Sequence, residues 1–281
     1  MIISSGPVTS LGVPQGFRLR FGEEPKPPGA WAGRRLLWLD DRPAFELTLW
    51  CGTCPFIFRR LDGANGTVSL PELEQRLADG IDGIDEDLVA AFAELLPQGQ
   101  YLPMLLNVQP RLVYPVKPGD YFAEDQVATW GIERFWDLPG YPHTPYYRTF
   151  ETDVSSDAHL FEFVVPMVPP SWNNPMRVAG HAELLSSSDR PTAVAVSILD
   201  TSAPAMSGPG LDYFEHWALT HFLLDGHHKL QAAAQTNRPL RLLSLLSLDA
   251  SLASEQSIVR IPQLRAQPLT RRHQSPDSSS S

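Results

Sequence analysis

A chain of 281 residues that is 43% apolar has material for one large core or two ordinary ones, which excludes wholesale disorder. Its net charge of −10 argues against a nucleic-acid partner, because binding to phosphate backbones needs a basic stripe and the only basic cluster is Arg271–Arg272–His273. No apolar run reaches the roughly eighteen residues of a membrane span, and the start MIISSGPVTSLG has no export-signal pattern.

With two cysteines, a soluble protein of the reducing cytoplasm is expected. Twenty-seven prolines, nearly twice the usual share of about 5%, predict short strands and many loops. Residues 1–15 read as a loose lead-in punctuated by Gly6, Pro7, Gly12 and Pro14. Strand-like segments follow at Phe17–Phe21, Arg35–Leu39 and Phe45–Trp50.

The last of these runs into Cys51-Gly52-Thr53-Cys54, a spacing that resembles the thioredoxin active-site turn. Such a pair at a helix N-terminus supports thiol–disulfide exchange, because the first thiol is acidified and the second resolves the mixed disulfide. Here Pro55 follows directly, and FIFRRLDGAN is too β-like and too short for the long helix that chemistry uses. Two buried or turn cysteines are the favoured reading, with a thiol–disulfide oxidoreductase as the alternative.

A helix is expected from Ser69, where S-L-P-E fits a capping box and Leu70, Leu73 and Leu77 share a face. A second spans about Glu86–Leu96, capped by Asp85 and ended by Pro97 and Gly99, with Leu88, Val89, Phe92, Leu95 and Leu96 on its apolar side. Leu102–Val108 reads as a strand and Ala123–Thr129 as a short helix, inside an aromatic, proline-rich middle that reads as irregular packing. Strands follow at Tyr146–Glu151 and Leu160–Val168. Asn174 and Pro175 then supply an N-cap and first helical residue for a helix to about Leu185.

Beyond Asp189 the pattern sharpens. Thr192–Leu199 is a short β-branched apolar run, as in a buried strand. After a linker at Thr201–Gly210, Asp212–Leu219 reads as a helix, Phe222–Leu224 as a strand, Lys229–Thr236 as a helix and Leu240–Leu248 as a strand. This alternation gives a mixed α/β, or α+β, fold class. Three regions result: a strand- and loop-rich region over 1–188, a compact unit over 189–265 and a disordered tail over 266–281.

The segment FLLDGHHKLQAAA carries the clearest chemistry. An apolar strand stops at Asp225 and Gly226, and a helix of good formers begins at once. The first turn of a helix has unpaired N–H groups and a positive dipole end, which together favour an anion. Gly226 lets the backbone come close, and His227, His228 and Lys229 add donors, with Lys229 expected to face solvent. Asp225 is suited to holding an imidazole tautomer, orienting a hydroxyl or assisting a metal ion. Glu215, His216 and His221 lie nearby, but their spacing matches no usual zinc pattern, so no metal ligands are assigned. No Walker A, G-x-G-x-x-G or G-x-S-x-G motif occurs.

FLLDGHHKLQAAA followed by RPLRLLSLLS resembles the signature turn of the ParB/sulfiredoxin superfamily, in particular its ParB-like free-serine kinase branch. The likeness is tight over Phe222–Leu248 and looser from Thr192. It implies a ParB/sulfiredoxin-like unit over 189–265, with Asp225 and His228 as catalytic groups and Gly226, His227 and Lys229 as the cofactor-binding turn. It also implies a nucleotide, ATP or ADP with Mg²⁺, and a small-molecule partner. Lys229 replaces the family's arginine and gives up its bidentate fork. His227 stands where sulfiredoxins carry a reactive cysteine, so sulfinic-acid reduction is excluded. The expected function is nucleotide or phosphate binding, with phosphoryl transfer to a small molecule. A non-catalytic interaction protein that keeps the turn as scaffold is a further alternative.

Overall fold

The computed structural model describes residues 1–25, 33–47, 58–68, 70–115, 117, 119–121, 123–124, 144–186, 190–202 and 214–271. The fold is mixed α/β. In chain order its strands begin with β1 (Ile2–Ser5) and β2 (Thr9–Leu11). An antiparallel four-stranded sheet follows, made of β3 (Leu19–Glu24), β4 (Arg34–Leu39), β5 (Arg42–Glu46) and β6 (Arg59–Arg60). A 3₁₀ turn at Pro71–Leu73 leads into α1 (Glu74–Asp79), and α2 spans Glu86–Ala93. Asp85 caps α2 as expected, its Oδ1 accepting from the Leu88 N–H at 3.1 Å. Ser69 lies outside the described residues; Leu70 occupies the N-cap position of the 3₁₀ turn.

The remaining strands are β7 (Gly99–Val108), β8 (Arg111–Val113), β9 (Tyr146–Ser155), β10 (Ala158–Pro166), β11 (Thr192–Ser202), β12 (Glu215–Asp225) and β13 (Leu240–Ser247). With β1 and β2 they form a nine-stranded mixed sheet in the order β1-β7-β13-β11-β12-β10-β9-β8, β2 also pairing with β7. β10 runs parallel to β12 and β11 parallel to β13; the other pairs in this sheet are antiparallel. Strands from both sides of residue 189 are hydrogen-bonded into this one sheet, so 189–265 does not form a sheet of its own.

Alternation along each strand sends successive side chains to opposite faces. Val194, Val196, Phe222, Leu243 and Leu245 face a core shared with the small sheet, α1 and α2. Ala195, Leu199, Leu223, Leu242 and Leu246 face the other core. That second core is covered by α3 (Pro175–Ser186), α4 (His227–Thr236), α5 (Glu255–Ile258) and α6 (Ile261–Arg265). β11 and β13 are therefore apolar on both sides, which is why they read as continuous hydrophobic runs. Asn174 caps α3 as expected, accepting from the Met176 N–H at 2.9 Å.

The helix expected at Asp212–Leu219 is a strand. β12 runs unbroken from Glu215, with Trp217, Leu219 and Leu223 on one face and Ala218, Phe222 and Leu224 on the other. Pairing with β10 on one side and β11 on the other overrides the helical spacing of Phe214, Trp217 and Ala218. The Ala123–Thr129 helix and the Cys51–Cys54 turn fall wholly or largely outside the described residues. Within the expected tail, residues 266–271 are placed: the Thr270 N–H donates to the Glu151 carbonyl at 3.1 Å, and the Thr152 hydroxyl donates to the Pro268 carbonyl at 3.0 Å.

Two buried polar ties fasten the layers. Arg35 on β4 donates to Asp200 on β11 at 2.6 Å, joining the two sheets. On the other face, Glu162 and His221 are fully buried, and Arg265 of α6 reaches down to Glu162 Oε2 at 2.9 Å. The Thr149 hydroxyl donates to Glu162 Oε1 at 2.5 Å, and His221 Nδ1 meets Ser197 Oγ at 2.6 Å. Burial alone would raise the Glu162 pKa, but Arg265, His221 and Thr149 outweigh it and bring it down to about 2.

Candidate functional site

The site forms where β12 ends and α4 begins. Asp225 closes the strand, and Gly226 takes the left-handed conformation with φ of +97°, turning the chain into the helix within one residue. A side chain here would meet Ala193, whose Cβ lies 2.7 Å from the position a Cβ would take. Glycine is thus required twice, by backbone angle and by contact with β11. The helix closes at Asn237, also left-handed, and its first intrahelical bond runs from the Leu230 N–H to the Gly226 carbonyl at 2.8 Å. The N–H groups of His227, His228 and Lys229 precede that bond and have no acceptor among the described residues.

These three residues line a pocket of about 330 Å³. Its wall includes Asp225 and the turn, Arg177 and His181 from α3, Glu74 from α1 and Thr67 from the loop after β6. Arg177 donates to Glu74 Oε1 at 2.8 Å across the pocket, joining α3 to α1. The position at the carboxyl end of a strand and the amino end of a helix is where α/β sheets commonly place ligands.

The turn residues divide into two groups. His227 is buried, and its Nε2 accepts from the Met167 N–H at 3.0 Å. The proton of this imidazole is therefore on Nδ1, and burial pushes its pKa down to about 3, so it stays neutral. His228 Nε2 accepts from the Asn174 N–H at 3.1 Å; its pKa is lowered by burial and then by Arg177. Asn173 completes the clamp, donating to the His227 carbonyl at 3.3 Å and to Gln231 at 2.7 Å. Both rings thus act as acceptors that fix the 167–174 segment over α4.

Lys229 is buried rather than facing solvent. Its Nζ donates to the Thr192 carbonyl at 2.9 Å and to Asp225 Oδ1 at 3.3 Å. Burial lowers its pKa and Asp225 partly restores it. The long side chain bends back along Gly226, its Cδ 3.6 Å from where a Cβ on that residue would stand. Asp225 is consequently held in place by the lysine.

All five turn residues expected to act directly, Asp225, Gly226, His227, His228 and Lys229, line the pocket. The rings of His227 and His228 are committed to backbone N–H groups, and Lys229 holds Asp225. Arg177, His181 and Glu74 were not singled out from the sequence. They lie roughly 50 to 150 residues from the turn and are brought in by the packing of α3 and α1; the Asn174–Pro175 helix start and the S-L-P-E box before Glu74 were the local signals near them. Among the described residues no cluster of three or more metal-ligating side chains occurs, and no helix is long and apolar enough to cross a membrane.

Comparison with family models, with curated proteins and with solved structures finds no match for this chain.

Proposed function

We propose that the pocket at Asp225–Lys229 binds the phosphate of a small phosphorylated molecule, with a nucleotide such as ATP or ADP as the ligand class. The observation that carries this reading is the N-terminus of the ten-residue helix α4, whose first three residues line a pocket that Arg177 also lines. A phosphate there accepts from backbone donors and a guanidinium in one concave site. The left-handed glycine lets the anion approach the backbone. Mg²⁺ is expected to accompany a nucleotide, with Asp225 and Glu74 as the nearby carboxylates. Phosphoryl transfer to a small molecule is the reaction class that the ParB-like resemblance implies for such a site. In that reaction the donors would stabilise charge on the transferred group.

A specific observation favours one second reading. His227 and His228 each accept from a backbone N–H of the 167–174 segment, which is how a scaffold turn would use them. In this reading the protein is a non-catalytic interaction protein and the turn joins α3 to α4.

Differential melting separates the two. ATP, ADP or CTP with Mg²⁺ should raise the melting temperature by binding linkage, RT ln(1 + [L]/Kd), and Arg177→Ala should reduce the shift. A shift absent up to millimolar concentration with every nucleotide and with inorganic phosphate leaves the scaffold reading in place.

A further inference from the structure

We propose that the outer edge of β9, from Glu151 to Ser155, is a strand-addition site for a basic, extended peptide of a partner protein, and that the chain's own Pro268–Arg271 occupies it in cis. This surface shares no residue with the pocket at α4. Register in the large sheet sets it up. β10 pairs with β9 from Tyr147 to Ser155, whereas β8 covers only Tyr146–Arg148 on the other side. Among the described residues no strand lies against the rest of that edge, Thr149–Ser155.

The Glu151 carbonyl points outward, since it accepts from the Thr270 N–H at 3.1 Å, and the period of two aims the Asp153 backbone the same way. The side chains of this edge are acidic. Glu151 Oε2 and Asp153 Oδ1 lie 3.5 and 2.9 Å from the two nitrogens of one imidazole, His159, so the group keeps a net negative charge whether that ring is neutral or protonated. Asp157 adds an exposed carboxylate at the hairpin turn. Of the nearby cations, Arg148 is paired with Asp120, and Arg260 approaches from the opposite face, where it lies over Trp217. Pairing of β9 with β9 between two copies would set these carboxylates against each other, so a second copy's edge is a poor occupant.

The segment that already lies there shows the chemistry that fits. After α6 the chain runs through Ala266–Arg271, exposed at every residue, and is tied to β9 by the Thr270 N–H and by the Thr152 hydroxyl, which donates to the Pro268 carbonyl at 3.0 Å. Thr270 and Arg271 line an open cleft of about 500 Å³ with Asp153, Ser155 and Ser156, and Arg272 and His273 follow in sequence. A backbone donor beside a basic cluster is thus seated on an acidic edge. Held in this way, an exposed segment is displaceable by a basic peptide that pairs at both Glu151 and Asp153, in which main-chain bonds give affinity and the arginines give selectivity.

The probe is a fluorescein-labelled peptide of the chain's own sequence QPLTRRH, read by anisotropy on the full chain. Thr270→Pro removes the cis N–H and should free the edge. The probe should bind this variant at least about tenfold more tightly than the native chain, in which the cis segment competes at a high effective concentration. Asp153→Asn in the Thr270→Pro chain should weaken binding several-fold and reduce its salt dependence. A probe N-methylated at its threonine should lose binding, which attraction between charges alone would not show. If Thr270→Pro does not fold, the native chain decides: excess peptide should move the Thr270 and Glu151 amide resonances, and unmoved resonances overturn the proposal. Probe binding that is absent up to millimolar, or no tighter to Thr270→Pro than to the native chain, overturns it as well. So does binding indifferent to both N-methylation and Asp153→Asn. A native dimer that the peptide dissociates would put a second copy's tail on the edge and overturn the choice of occupant.

Discussion

Two polar groups sit on the same strand, four residues apart, and do different work. His221 lies in the middle of β12, where neighbouring strands and α6 seal it in with Glu162, Ser197, Ser244 and Arg265. Asp225 lies at the end of β12, where the chain turns and a pocket opens. In the middle of the sheet a buried polar group has only protein groups to pair with, because water is excluded. At the strand end, backbone donors are left over by geometry, and a ligand is the natural acceptor. The lesson is that histidines and carboxylates in one strand carry opposite meanings according to whether the sheet surrounds them or stops beside them.

The sharpest way to break this comparison is at Glu162. Glu162→Ala leaves Arg265 and His221 buried without their carboxylate and should cost about 3–5 kcal/mol, read as a lower midpoint in urea. The same group predicts a pH dependence. Its folded pKa of about 2 lies below the ordinary glutamate value of 4.5, so its contribution is fully present above about pH 5 and is lost as pH falls toward 2. An acid unfolding curve that Glu162→Gln leaves unmoved would contradict this.

Asp200→Ala comes next. It strands Arg35, which is 4% exposed, between the two sheets and should cost about 3 kcal/mol, with Arg35→Met in the same chain recovering most of that. A double variant no more stable than the single one would show that the pair is not the tie between the sheets.

The smallest effects are expected at the turn histidines. His227→Ala removes the acceptor of a buried N–H at Met167 and should cost about 1–3 kcal/mol, and His228→Ala less, because Asn174 is exposed to solvent. The two values, measured by thermal melting, grade how far the turn serves as scaffold. An effect at His228 larger than at His227 would reverse the assignment of which ring is structural.

Much of the fold was legible where local chemistry and packing agree. Asp85 and Asn174 cap their helices, β11 and β13 read as buried strands, and the Gly226 turn opens a helix. The failures have physical causes. Phe214, Trp217 and Ala218 carry a helical spacing that also fits a two-sided strand, and only the presence of β10 and β11 decides between them. Lys229 was expected in solvent because it begins a helix; it is buried because its ammonium turns back to the Thr192 carbonyl and Asp225. The site was half legible. Its backbone donors and Asp225 come from one local segment, whereas Glu74, Arg177 and His181 come from helices that sequence proximity does not connect to it.

The central claim is that the first turn of α4 is an anion site, and amide chemical shifts test it at the atoms concerned. On titrating the native chain with phosphate, and then with ADP and Mg²⁺, the amides of His227, His228 and Lys229 should show the largest saturable shifts, together with the Arg177 guanidinium. Shifts centred elsewhere on the molecule, or none at these three amides at millimolar ligand, would contradict the account.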